Sequence, residues 1–165
     1  MRMLLLAGAI VSTAAVVALP VRAQDSGIAI GAIAPGAAVE TLDGKAIDLD
    51  RYLGKTPVLI QFWATWCPNC KALEPKIDAA IRKYTGRVRF VAVAVSVNQS
   101  VERVKAYREK HGMLQDILWD RNGLATDAYE VPATSYIVVV DAKGKVVYTG
   151  VGSDQDIDAA VRKAL

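Results

Sequence analysis

The 165-residue sequence has one histidine, two cysteines and no stretch dominated by charge of one sign, and each scarcity removes a class of function. A structural zinc site wants four ligands, and Cys67, Cys70 and His111 are the only thiol and imidazole donors in the chain. Only two chains sharing an ion could complete such a site, so no metal is expected. Lys and Arg form no basic stripe and do not alternate with aromatic residues, which leaves nucleic-acid binding without support. The formal net charge of +3 overstates the basic character. Arg2 and Arg22 precede Gln24, and without them 18 Lys and Arg face 17 Asp and Glu. No acidic tail and no low-complexity tract is present. With 53% hydrophobic residues the chain can bury one good core and is short for two.

The first 23 residues differ from the rest. Arg2 is followed by an uncharged, mostly apolar run from Met3 to Leu19, then Pro20 and the small-x-small site Val21-Arg22-Ala23. This is the pattern of a signal peptide cut after Ala23. The run is just short of the roughly 20 residues of a spanning helix, so an uncleaved anchor is the alternative. Both place the body outside the cytoplasm, in the periplasm or beyond, where thiols persist as disulfides or must be reduced deliberately.

Residues 24–38 are rich in Gly and Ala and read as a linker, leaving 39–165 as the domain. Asp43-Gly44 between short apolar stretches predicts a hairpin over 42–55. The runs 57–63 and 88–97 predict strands buried on both faces. Between them a helix is predicted from near Cys67 to Tyr84, with Gly86 as its stop. A helix over 100–111 with Gly112 as C-cap follows, then a strand at 117–119, a short helix at 124–129, two strands joined at residues 141–144, and a closing helix over 154–165. This order predicts an α/β domain, a mixed sheet with helices on both faces.

That frame gives the segment FWATWCPNC a place. Cys67 falls at a helix N-terminus, where unpaired N–H groups and the helix dipole favour the thiolate, making it the candidate nucleophile. Cys70 is one turn on, within the Cα separation a disulfide tolerates. Pro68 suits the first helical position, since its missing N–H has no intrahelical partner there. A bridge closing so small a loop restricts the unfolded chain little, so a stapling role is weak and electron exchange is left.

The segment resembles the WCxxC site of thioredoxins, and the body from about Gly31 onward resembles the extracytoplasmic TlpA/ResA-type thioredoxin-like reductases. The resemblance implies a thioredoxin-like fold with an added N-terminal β-hairpin, and an enzyme: a thiol-disulfide oxidoreductase whose Cys67 attacks and whose Cys70 resolves. It implies no cofactor beyond that redox-active pair. VPAT at 131–134 resembles the family's docking loop, implying a cis Pro132 facing the disulfide and, with the Val131 backbone, a substrate-docking edge; Trp66, beside the nucleophile at a strand end, and Pro68 are read as part of the same exposed platform. Pro75 matches the proline that bends the active-site helix. Partners implied are exported proteins with thiols or disulfides, apocytochrome c among the options, and a membrane electron donor. Six residues before Cys67, where thioredoxins resemble one another in a buried Asp, this chain has Gln61. Leu73 stands where some relatives carry a Glu, and Glu74, about 100° round the helix, receives no role. The base for Cys70 is therefore unassigned.

Other prominent side chains take plainer readings: Trp63 and Trp119 as core, Lys71 as a solvated helix lysine, and His111 as a cation at a helix C-terminus. Three alternatives to a reductase stand beside it. An oxidant of DsbA type uses the same cysteines, with reduction potentials on this chemistry running from roughly −270 to about −120 mV. A peroxiredoxin would need the P-x-x-x-T-x-x-C pattern, where this chain has Ile60 and Ala64. A copper-handling protein of SCO type resembles CxxxC with a distant histidine, not CxxC.

Overall fold

The computed structural model describes residues 27–165. The predicted signal segment lies outside the described residues. A seven-stranded mixed sheet runs through the domain. Its strands are β1 (Ala38–Thr41), β2 (Ala46–Asp48), β3 (Val58–Trp63), β4 (Arg89–Val95), β5 (Asp116–Asp120), β6 (Tyr136–Val140) and β7 (Val146–Gly150). In space they lie in the order β2-β1-β5-β4-β3-β6-β7. β3, β4 and β5 are parallel, and the remaining pairings are antiparallel. The helices are α1 (Pro68–Tyr84), α2 (Val101–His111), α3 (Leu124–Ala128) and α4 (Ile157–Arg162). The thioredoxin-like architecture and the added hairpin β1–β2 are those read from the sequence.

β3 is buried along its whole length, so both of its faces carry core. On one face Leu59 packs with Leu73 and Ile77 of α1 and Ile157 of α4, while Trp63 meets Tyr107 of α2 with ring centroids 5.4 Å apart. On the other face Phe62 lies 5.3 Å from the ring of Tyr129, just after α3. α1 takes its place because Cys70, Leu73, Ile77, Ala80 and Tyr84 recur at intervals of three and four and form one buried stripe. Truncating Leu73 or Ile77 to Ala is expected to cost about 2–5 kcal/mol. At the far end of α1, Asp158 of α4 accepts from Tyr84 Oη at 2.8 Å and pairs with Lys83 at 2.6 Å.

Three predicted boundaries shift. The hairpin strands lie within 38–48 rather than 42–55, and residues 49–52 form a 3-10 turn. α4 is shorter than 154–165, beginning only after Asp156 caps the Ala159 N–H. The lead-in is not a free linker either. Gly31 N–H donates to Val146 O, Val146 N–H to Ala32 O and Ala34 N–H to Gly144 O, while Ile28, Ala34 and Ala37 are buried. Its small uncharged residues let the backbone lie against β7 as a partial extra strand.

Candidate active site

The parallel strands β3, β4 and β5 all point their C-terminal ends at one edge of the sheet, and β6, antiparallel to β3, begins there. The segments leaving those ends, residues 64–67, 96–100 and 121–123, therefore share an edge with the loop 130–135 that leads into β6. Cys67 and Cys70 lie at this edge and are joined by a disulfide with Cα atoms 5.3 Å apart. Cys67 is the N-cap of α1, and its Sγ accepts the Cys70 N–H at 3.1 Å. The first helical turn contains no acidic residue, so no local negative charge opposes the helix dipole at that sulfur. Pro68 occupies the first helical position, as its missing N–H allows. Both cysteines are largely buried, while Trp66, Pro68 and Asn69 around them are exposed.

Val131 and Pro132 lie at the same edge, Val131 half-buried against the larger core cluster and Pro132 exposed. The expected cis bond is a correction: the described residues contain no cis peptide, so Val131–Pro132 is trans. Trans is the lower-energy state of an X-Pro bond. The loop turns instead through Glu130 and Ser135, with φ of 49° and 65° in the left-handed region. Ser135 is fully buried and anchored; its Oγ accepts from Gly152 N–H and its carbonyl from Gln155 Nε2, both at 3.0 Å. Lys76 of α1 donates to the carbonyls of Ser153 and Gln155, which ties that anchor to the active-site helix.

Gln61 is 2% exposed, on the face of β3 that carries Leu59 and Trp63, beneath α1. Pro75 lies inside α1, where it cannot donate to the preceding turn. Trp63 and Trp119 are buried, as expected, and Trp66 is 41% exposed.

The sequence did not reveal a cluster around Glu74. Tyr107 Oη donates to Glu74 Oε1 at 2.6 Å, and His111 Nδ1 lies 3.2 Å from Glu74 Oε2. The Tyr107 and His111 rings stack at 3.9 Å. Burial, then the Glu74 carboxylate, push the Tyr107 hydroxyl well above its ordinary range. Glu74 thus ties α1 to α2. His111, read only as a cation at a helix end, is part of that tie, and the spacing of Tyr107 and His111 on one face of α2 is the only sequence signal for it. Among the described residues no group of three or more His, Cys, Asp or Glu side chains is gathered as a metal site.

Comparison with known proteins agrees with this geometry. The profile of the AhpC/TSA family matches residues 30–149. Thioredoxin-like protein YneN of Bacillus subtilis is 31% identical over 131 residues, 79% of this chain and 76% of that protein. Thiol-disulfide oxidoreductase ResA of Geobacillus thermodenitrificans is 29% identical over 81% of this chain and 77% of its own length. Among solved structures, a thiol:disulfide interchange protein of the thioredoxin family from Chlorobium tepidum superposes with a TM-score of 0.68 at 28% identity, covering 83% of this chain and 98% of that one. The thioredoxin domain of a thiol-disulfide oxidoreductase from Bacteroides vulgatus shares the fold at 20% identity, with a TM-score of 0.71 over 84% of this chain and 99% of that one.

Proposed function

The chain belongs to the AhpC/TSA family of thioredoxin-like proteins, and from that premise we propose that it reduces disulfides of exported proteins by cycling Cys67 and Cys70 between dithiol and disulfide. It is a thiol-disulfide oxidoreductase; the direction, the cellular side and the substrates are the proposal. The Cys67 thiolate attacks one sulfur of the substrate disulfide, forms a mixed disulfide and releases the other sulfur as a thiolate. The Cys70 thiol then loses its proton and attacks Cys67 Sγ. The Cys67–Cys70 disulfide closes, the second substrate sulfur leaves, and two electrons have passed to the substrate. An external dithiol donor, expected on the membrane, must restore the pair. Trp66, Pro68, Val131 and Pro132 form the docking edge in this reading.

The observation that carries it is the closed Cys67–Cys70 disulfide at the α1 N-terminus, with Cys67 Sγ as the cap and an exposed tryptophan next to it. Ala64, 1% exposed, offers only a methyl group three residues before Cys67, which leaves the peroxidase alternative without its hydroxyl. Among the described residues no helix is long and apolar enough to cross a membrane.

The test is a Cys70→Ala variant in the exported compartment. It should accumulate mixed disulfides through Cys67, and the reduced wild type should convert a model protein disulfide to thiols stoichiometrically. A reduction potential above roughly −180 mV, the value for protein disulfide isomerase, would reverse the direction to that of an oxidant. Absence of both trapped partners and stoichiometric reduction would sink the proposal.

A further inference from the structure

The loops leaving β3 and β4 are joined beside Cys67 by hydrogen bonds that the electron transfer does not require. Gln99 Oε1 accepts from both the backbone N–H of Thr65, at 2.9 Å, and its hydroxyl, at 2.8 Å. Gln99 Nε2 donates to Val95 O at 2.5 Å, so the side chain is fixed to the end of β4 while it holds the loop after β3. One residue on, Trp66 Nε1 donates to Val97 O at 2.8 Å. The turn that presents Val97 passes through Asn98 at φ 54°, a conformation that asparagine tolerates better than most residues.

This clasp determines what the surface beside the reacting sulfur offers. The indole N–H is used inside the protein, so the 41% of Trp66 that is exposed presents ring carbon and not a free donor. Val97, 59% exposed, extends the same apolar area. The segments 61–70, 95–101 and 131–135 contain no charged residue; Lys71, Glu102 and Glu130 border them, and Arg121 at the end of β5 is paired with Glu40. A ligand with several charges meets little to balance them here, whereas a large apolar side chain meets an aromatic ring already held in place. A ring fixed before contact gives up little conformational freedom on binding.

We propose that Gln99 is a positioning and specificity residue. By clasping Thr65 it holds Trp66 and Val97 as one apolar platform that selects disulfides in polypeptides with bulky, uncharged residues next to the cystine over small charged disulfides. The proposal rests on disulfide exchange at Cys67, and its test separates the two.

The fully reduced protein is mixed in single-turnover experiments with a peptide disulfide flanked by Leu and Phe, and separately with glutathione disulfide. Wild type should favour the peptide by about tenfold or more, the scale of discrimination available from apolar contact. Gln99→Ala should lower that preference by about threefold or more, corresponding to the net loss of one ordinary hydrogen bond. Thr65→Val, which removes only the hydroxyl, should lower it in the same direction and keeps the test alive if Gln99→Ala fails to fold. The double variant should fall no further than Gln99→Ala alone. An independent readout comes from fluorescence: of three tryptophans, Trp63 and Trp119 are 1% and 5% exposed, so acrylamide quenching reports Trp66. Quenching should increase in Gln99→Ala. A folded variant with a smaller change in preference and unaltered quenching overturns the clasp, as does a wild type that favours glutathione disulfide. Failure of the wild type to react with either disulfide overturns exchange at Cys67 itself.

Discussion

Replacing Gln61 by Asp introduces a carboxyl group into a closed position beneath α1. Gln61 is 2% exposed, and its register partners Ala92 on β4 and Ile137 on β6 have no side-chain donor to offer. Burial of this kind disfavours the charged form and raises a carboxyl pKa by about 3 at such sites. An aspartate free at about 3.9 would then titrate near 7 in the folded protein. Between those two values the unfolded chain is ionised and the folded chain is not, so raising the pH favours unfolding. The variant should match its low-pH stability up to about pH 4 and lose about 4 kcal/mol by pH 8, because each pH unit separating the two values is worth about 1.36 kcal/mol. Wild type, with a neutral amide, lacks this contribution. Guanidinium unfolding of both oxidised proteins from pH 4 to 8 gives the difference directly. A difference independent of pH would refute the reasoning, because it would mean that the new carboxyl reaches solvent. The same variant tests the chemistry: a carboxylate titrating near neutrality is a competent proton acceptor. Decay of a pre-formed Cys67 mixed disulfide should accelerate in Gln61→Asp near pH 7. An unchanged rate and pH profile would show that position 61 does not communicate with Cys70.

Three further outcomes are expected. In the reduced protein, iodoacetamide should modify Cys67 before Cys70 and with an apparent pKa below the free-thiol value of about 8.5, as mass spectrometry of partially labelled protein can establish; preferential labelling of Cys70 would reverse the assigned roles. Burial raises the pKa of Tyr52, Tyr107, Tyr129, Tyr136 and Tyr148, so their contribution is complete below the free-tyrosine value of about 10 and is lost as the pH rises above it. Unfolding midpoints should therefore fall between about pH 9 and 11, and less steeply in Tyr107→Phe/Tyr129→Phe. Asp120, fully buried, accepts the backbone N–H groups of Ala125 and Thr126 and the Thr126 hydroxyl, so Asp120→Ala should cost at least about 2 kcal/mol in urea unfolding and fray α3.

Much of the fold is legible because its signals are local. Asp43-Gly44 marks the β1–β2 turn, the apolar runs mark β3 and β4, and Gly112 at φ 60° ends α2 where its lack of a Cβ permits the left-handed cap. The lead-in escapes sequence reading for a physical reason. Gly and Ala give it no periodic pattern, and what fixes Gly31, Ala32 and Ala34 is backbone pairing with residues over a hundred positions away.

At the site the same division holds. Cys67, Cys70 and Pro68 interact within one helical turn, so their spacing specifies their geometry. Gln99 and Thr65 are 34 residues apart, and Tyr107 and Glu74 are 33 apart. Each contact joins a part of the first strand-helix unit, β3–α1, to the next, β4–α2. Neither residue type announces such a contact, since a glutamine in a loop and a tyrosine on a helix are ordinary in those places. They meet because β3 and β4 are parallel neighbours, which sets the two strand ends side by side. The cysteines specify which bond can be exchanged, and the two long-range contacts fix how the β3–α1 and β4–α2 units sit against each other beside it.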